Sequence, residues 1–74
     1  NPVTNIKFIL PESGFVKLIV FDLQGREIET LVNENLNAGT YNTEWNAVNY
    51  PSGVYFYKLQ LGEYSDMKKM ILVK

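Results

Sequence analysis

The chain lacks the two residue types that catalytic and metal sites most often use, because its 74 residues include no cysteine and no histidine. Without cysteine there is no disulfide framework and no thiolate ligand, and without histidine the commonest general base is missing. The formal net charge of −1 indicates no basic surface for nucleic acid, and no lysine or arginine cluster indicates a membrane surface. No apolar run approaches the roughly 18 residues of a membrane-spanning helix.

The remaining acidic residues form no convincing site in the sequence. Glu27 and Glu29 share one face of a predicted strand and would resemble a carboxylate pair, although a solvated strand face accounts for them more simply. Asp22 is expected to close a turn and to pair with Arg26 rather than to bind calcium. We therefore predict that the domain is not an enzyme, and we predict no cofactor, no metal and no small-molecule substrate.

The chain is rich in apolar and polar residues that alternate with a period of two, which predicts short β-strands. Turn signals such as PESG, DLQG, NYPSG and GE separate them. Residues 15–21 are apolar on both faces, which is typical of a central strand. The polar run 33–39 predicts a loop. Six or seven strands without helical periodicity predict an all-β fold, an antiparallel β-sandwich of two sheets.

The last two strands can be given a register. Gly62 and Glu63 predict a two-residue hairpin of type II′, which places Leu61 opposite Tyr64. The residues predicted to point inward are Tyr55, Leu59, Met70 and Leu72. The opposite face carries Val54, Phe56, Ile71 and Val73, and an apolar face of this kind, if exposed, would mark an interaction site.

The aromatic residues have two readings. Trp45 and Tyr55 are predicted to lie in the core, with the Tyr55 hydroxyl bonded to the backbone. Tyr50 and Tyr64 lie beside turns and are the better candidates for exposure. A carbohydrate-binding module would need an exposed row of rings, such as Tyr50 with Tyr64 or Tyr57.

The order of the segments resembles a known family. The markers are the opening Asn1-Pro2, the DLQGRE turn, AGTYNTEWNA, the Gly53-Val54-Tyr55 motif and the terminal KKMILVK. Together they resemble the type A C-terminal sorting domain of the type IX secretion system, which is found on secreted proteins of Bacteroidetes-like bacteria. The resemblance covers essentially the whole chain.

The resemblance implies a small Ig-like β-sandwich over residues 1–74, a single domain excised from a larger secreted protein. It implies that the outer-membrane translocon reads the domain and that a processing peptidase removes it. The N-terminal cargo domain of the same chain would then pass through the periplasm and the outer membrane, to be secreted or held at the cell surface. No nucleic acid is expected as a partner.

We predict that the final hairpin, residues 53–74, carries the signal. The candidate recognition residues, from the family motifs and from the outward face, are Gly53, Val54, Tyr55, Phe56, Lys69, Met70, Ile71, Val73 and Lys74. Two alternatives stay open. One is a passive spacer, since the sequence is also similar to the Ig-like part of the flagellar hook-capping protein, and the other is the carbohydrate-binding module.

Overall fold

A computed structural model of the chain describes residues 3–73, and these residues form six β-strands and no helix. The strands are β1 (Val3–Leu10), β2 (Gly14–Phe21), β3 (Glu27–Leu36), β4 (Gly39–Asn46), β5 (Gly53–Leu61) and β6 (Tyr64–Leu72). The described part of the chain thus contains no helix with the length and apolar character needed to cross a membrane. The predicted all-β class is confirmed.

The strands pair into two antiparallel sheets. One sheet has the order β3, β2, β5, β6, and the other consists of β1 and β4. The chain passes from one sheet to the other after β1, after β3 and after β4. The apolar faces of the two sheets share one core, so the architecture is the small Ig-like β-sandwich that was predicted.

Strand β2 lies at the centre of the four-stranded sheet, as its two apolar faces predict. Its inward side chains Val16, Leu18 and Val20 are fully buried. Full burial of such a side chain contributes about 1.5–3 kcal/mol, so this alternation is a main source of stability. The residues of β1 that complete the same core are Ile6, Phe8 and Leu10.

Strand β3 is longer than predicted. It continues to Leu36, so the prediction of a loop over the whole of residues 33–39 is wrong. The pairing with β2 extends to Leu36 opposite Gly14. Because β3 is an edge strand with a solvated face, polar side chains at its end are compatible with pairing.

Strand β3 contains two β-bulges, and one of them separates the carboxylates that were predicted to share a face. Register shifts place Glu29 opposite Val20 and Glu27 opposite Phe21, with an extra residue between them. Val20 points into the core and Phe21 points away, so the two carboxylates lie on opposite sides of the sheet. Glu29 accepts a hydrogen bond from Trp45 Nε1 at 3.2 Å, whereas Glu27 is exposed. The predicted shared face is therefore wrong.

The turn between β2 and β3 forms as predicted. The Gly25 amide donates to the Asp22 carbonyl at 3.0 Å, and Gly25 has a φ of 84°. The Asp22 carboxylate accepts the amides of Gln24 and Arg26 at 3.0 and 2.9 Å and Arg26 Nε at 2.7 Å, which confirms the predicted ion pair. These bonds, above all the one from the Arg26 amide, lower the pKa of the Asp22 carboxyl.

We expect Asp22→Asn to destabilise the domain at neutral pH but not in strong acid. Asparagine keeps an oxygen acceptor for the two amides and removes the charge that faces Arg26. Because the folded pKa of Asp22 lies below its ordinary value of 3.8, the stabilisation is present above that value and is lost as the pH falls through the folded pKa. Thermal unfolding followed by circular dichroism should show that the melting temperatures of the native chain and of the variant converge as the pH is lowered from 7 to about 2. A difference in melting temperature between the native chain and Asp22→Asn that does not vary with pH would contradict a stabilising role for the Asp22 charge.

The β5–β6 hairpin has the predicted register. Leu61 lies opposite Tyr64, and the pairing continues to Gly53 opposite Leu72. Gly62 has a φ of 58°, and among the described residues only glycines have a positive φ. Glu63 is therefore not left-handed, which agrees with a type II′ turn that has glycine at its first position.

An aromatic cluster fills one end of the core. The Trp45 ring is fully buried, with its centroid 5.1 Å from Tyr55 and 5.6 Å from Tyr50. The buried Tyr55 donates its hydroxyl to the Pro51 carbonyl at 2.6 Å, so the predicted core position and backbone bond are confirmed. Tyr50 is half-buried and donates to the Ile28 carbonyl at 3.1 Å, so the prediction that Tyr50 is exposed is wrong.

Candidate functional site

The side of the β5–β6 hairpin that faces away from the core carries five of the predicted recognition residues. Val54 lies opposite Ile71 and Phe56 lies opposite Lys69, so the four side chains share one face of the sheet. Val73 continues the same alternation beyond the end of β6. We call Val54, Phe56, Lys69, Ile71 and Val73 the outer hairpin face.

The outer hairpin face is open to solvent. Ile71 and Val73 expose 67% and 71% of their surface, and Val54 and Phe56 are half-buried. No strand within residues 3–73 packs over this face, because the two-stranded sheet lies on the core side. Adjacent exposed apolar side chains of this kind are typical of an interaction site.

The surface extends onto residues that the sequence reasoning did not include. Phe21 of β2 lies opposite Phe56, and Met67 lies opposite Lys58. Together with Leu23 they line a depression of about 340 Å³. Phe21 joins the surface through the long-range pairing of β2 with β5, which no local pattern marks. Met67 could have been predicted from the sequence, since the hairpin register alone places it on this face.

The charge on this side of the four-stranded sheet is mainly positive. Lys17, Lys58 and Lys69 all point outward. Among the described strand positions on this face, Glu27 at the far edge is the only acidic residue. The net charge of −1 is therefore unevenly distributed over the domain. Such a face is complementary to an apolar surface that carries carboxylates.

Three further candidates lie elsewhere in the hairpin. Tyr55 is buried, and Met70 is half-buried against the core. Gly53 lies opposite Leu72 with a φ of 153°, a conformation that other residues rarely adopt. Lys74 lies outside the described residues. Recognition by any of the nine candidate residues stays a prediction.

The acidic residues do not converge on a site. Glu27 and Glu29 occupy opposite faces of β3, and the Asp22 carboxylate is engaged in its own turn. Across residues 3–73, no group of three or more acidic, histidine or cysteine side chains is arranged to hold a metal ion.

The tyrosines considered for carbohydrate binding are dispersed. Tyr64 exposes 50% of its surface, as predicted, and lines a groove of about 400 Å³ together with Tyr57. Tyr50 does not reach that groove, and its ring stands at 67° to the ring of Tyr55. Stacking against a sugar would therefore depend on Tyr57 and Tyr64 without Tyr50.

A small β-sandwich with an exposed apolar and basic strand face has the features of a binding domain. The comparison with protein families identifies which kind. The sequence model described as the secretion system C-terminal sorting domain matches residues 1–74, and the chain therefore belongs to this family of the type IX secretion system. The resemblance seen in the sequence is confirmed. No curated protein and no solved structure gave a significant match.

Membership of the family defines the function in outline. The chain is a C-terminal sorting signal for type IX secretion, which implies contact with the type IX machinery and with its cargo chain. It also implies export across the outer membrane to the cell surface or beyond. A sorting-signal family of this kind is not catalytic.

Proposed function

We propose that residues 1–74 form one non-catalytic domain that the outer-membrane translocon reads through the outer hairpin face. A cargo domain would precede it in the same, larger secreted chain. The observation that carries this proposal is the exposure of Ile71 and Val73 beside Lys69, on a face that no described strand covers. The buried rings of Trp45 and Tyr55, in contrast, support the fold.

Docking on the outer hairpin face would be driven by the burial of its apolar side chains. Each large apolar side chain that becomes fully buried contributes about 1.5–3 kcal/mol. Lys58 and Lys69 would favour a translocon surface that carries carboxylates, and would disfavour a basic one. The two-residue turn and continuous pairing hold these side chains at fixed spacings, which limits the entropy lost on binding.

The fate of the domain after export belongs to the same proposal. A processing peptidase removes the domain once the chain has crossed the outer membrane, and the cargo is then released or attached to lipopolysaccharide at the surface. Removal would leave an exported reporter lighter by about the 8.5 kDa of the domain, which an immunoblot resolves.

The sorting function is tested by fusing the 74 residues to the C-terminus of a periplasmic fluorescent reporter in a bacterium with a type IX system. Export of the fusion, and its loss when residues 68–74 are deleted, is the expected result. A fusion to one of the host's own sorting domains controls for the competence of the strain. A folded fusion that stays in the periplasm while this control is exported contradicts the sorting function, and a passive spacer or a sugar-binding module would then explain the domain better.

We expect the double replacement Phe56→Ser and Ile71→Ser to abolish export of the folded fusion. The loss of two apolar contacts of about 1.5 kcal/mol each weakens docking roughly 100-fold. The matched control is Tyr64→Ser with Ile9→Ser, which also replaces one aromatic side chain and one isoleucine by serine. These side chains are 50% and 64% exposed, and they lie on the core side of β6 and on β1, away from the outer hairpin face. Normal export of the first variant, with an unchanged circular dichroism spectrum, would reject the outer hairpin face as the docking surface without rejecting the sorting function.

A further inference from the structure

Strand β6 is a regular free edge of the four-stranded sheet. It is the last strand of the four-stranded sheet, and its nine residues pair with β5 without a shift of register. The opposite edge, β3, carries two register shifts, a common device that prevents other chains from pairing with an edge. The described residues thus include one edge of this sheet that is disrupted and one that is straight.

The hairpin determines which backbone groups of β6 are available. In a two-residue hairpin the flanking residues, here Leu61 and Tyr64, exchange both hydrogen bonds. The amide and carbonyl groups then alternate along the strand, so those of Ser65, Met67 and Lys69 point toward the free edge. These groups form a row of donors and acceptors onto which another antiparallel strand would fit.

The side chains on the core side of this edge are charged and exposed. Asp66 and Lys68 lie on the same face of β6, opposite Leu59 and Tyr57 of β5. Within residues 3–73 the structure pairs neither of them with an opposite charge. Charged residues that point inward on an edge strand normally prevent pairing, since a neighbouring strand would have to accommodate them.

In one register of strand pairing, the charges of Asp66 and Lys68 favour the association of two β6 edges. If two copies of β6 pair antiparallel with Met67 opposite its own counterpart, Asp66 of each copy faces Lys68 of the other. Tyr64 then faces Met70, and every side chain keeps its correct face. Moving the centre by one residue along the strand places Asp66 opposite Asp66 or Lys68 opposite Lys68, which is unfavourable.

We propose that the β6 edge is an interface for a second copy of this chain, centred on Met67. The two four-stranded sheets then form one continuous sheet across a twofold axis. The charge pattern favours this occupant, because a second copy of β6 itself supplies the Lys68 and the Asp66 that pair with Asp66 and Lys68 of the first. Strand pairing alone makes a small interface, so the association is weak and depends on concentration. This inference does not depend on the proposed sorting function.

Charge exchange tests the interface by analytical ultracentrifugation of the purified chain. Asp66→Lys and Lys68→Asp each place like charges opposite one another at two positions, and each is expected to lower the association constant roughly tenfold or more. An equimolar mixture of the two variants restores opposite charges at both positions, as does the double variant, and both should associate like the native chain. A native chain that stays monomeric at high concentration overturns the proposal, as does a mixture that behaves like its separate components.

A single cysteine tests the register, since the native chain has none. In the proposed pair the Cα atoms of Met67 and its counterpart are about 5.5 Å apart, within the range of a disulfide bond. Met67→Cys should therefore form a covalent dimer under mild oxidation. Ser65→Cys is the matched control on the same face. It is offset from its counterpart by four residues, about 14 Å along the strand, and should not cross-link. Cross-linking of Ser65→Cys but not of Met67→Cys would overturn the register. Charge variants that impair export but leave association unchanged would overturn self-pairing and assign the edge to the secretion machinery.

Discussion

Replacing Trp45 with alanine is expected to lower the free energy of unfolding by about 3–5 kcal/mol. A domain of 74 residues has a total stability of about 4–11 kcal/mol, so much or all of the folded population would be lost. The Trp45 ring is fully buried, packs on Tyr50 and Tyr55, and donates a hydrogen bond to Glu29. Its removal therefore leaves a cavity and deprives a half-buried carboxylate of a partner.

Urea unfolding followed by circular dichroism measures this effect without relying on tryptophan fluorescence. Tyr64→Ala is the matched control, because Tyr64 is an aromatic strand residue that is half exposed, and its loss should change stability by about 0.5 kcal/mol or less. A cost of less than about 1.5 kcal/mol for Trp45→Ala would show that the ring is not the centre of the core.

The second large effect is expected at Tyr55, where two substitutions separate the ring from the hydroxyl. Tyr55→Ala removes a buried ring and should cost about 3–5 kcal/mol. Tyr55→Phe keeps the ring and removes only the hydrogen bond to the Pro51 carbonyl, for which about 1 kcal/mol is expected. The ratio of the two costs, from the same urea titrations, shows how much of the role of Tyr55 is packing.

The same pair of variants bears on the role of the Gly53-Val54-Tyr55 motif. If Tyr55 acts through the fold, export of the reporter follows the folded fraction, and Tyr55→Phe is exported normally. Loss of export by a stably folded Tyr55→Phe variant would mean that the secretion machinery reads the hydroxyl itself. That result would place recognition on the core side of the hairpin rather than on the outer hairpin face.

Features that depend on local interactions were predictable from the sequence. The turn at Gly62 and Glu63 determined the complete pairing of β5 with β6, because a two-residue loop allows one register. The alternation of β2 predicted both its central position and its buried face. The ion pair between Asp22 and Arg26 followed from a turn of known geometry.

Features that depend on how strands pair were not predictable from local patterns in the sequence. The bulges of β3 have no signature in the residues around Glu29, because they arise from how the strand pairs with β2. Tyr50 follows a turn and so was predicted to be exposed, but the chain folds its ring back onto Trp45. The contribution of Phe21 to the outer surface depended on the pairing of β2 with β5, which joins two separate hairpins.

The exposed apolar residues of the outer hairpin face also affect the heat capacity of the domain. Unfolding normally raises the heat capacity by about 12–15 cal/mol/K per residue, mainly because apolar surface becomes hydrated. Side chains such as Ile71 and Val73 are already hydrated in the folded chain, so they add little to that change. The free energy of unfolding therefore varies less steeply with temperature than it would for a sandwich of the same length with both sheets covered. The corresponding heat-capacity decrease appears only when a partner covers the face.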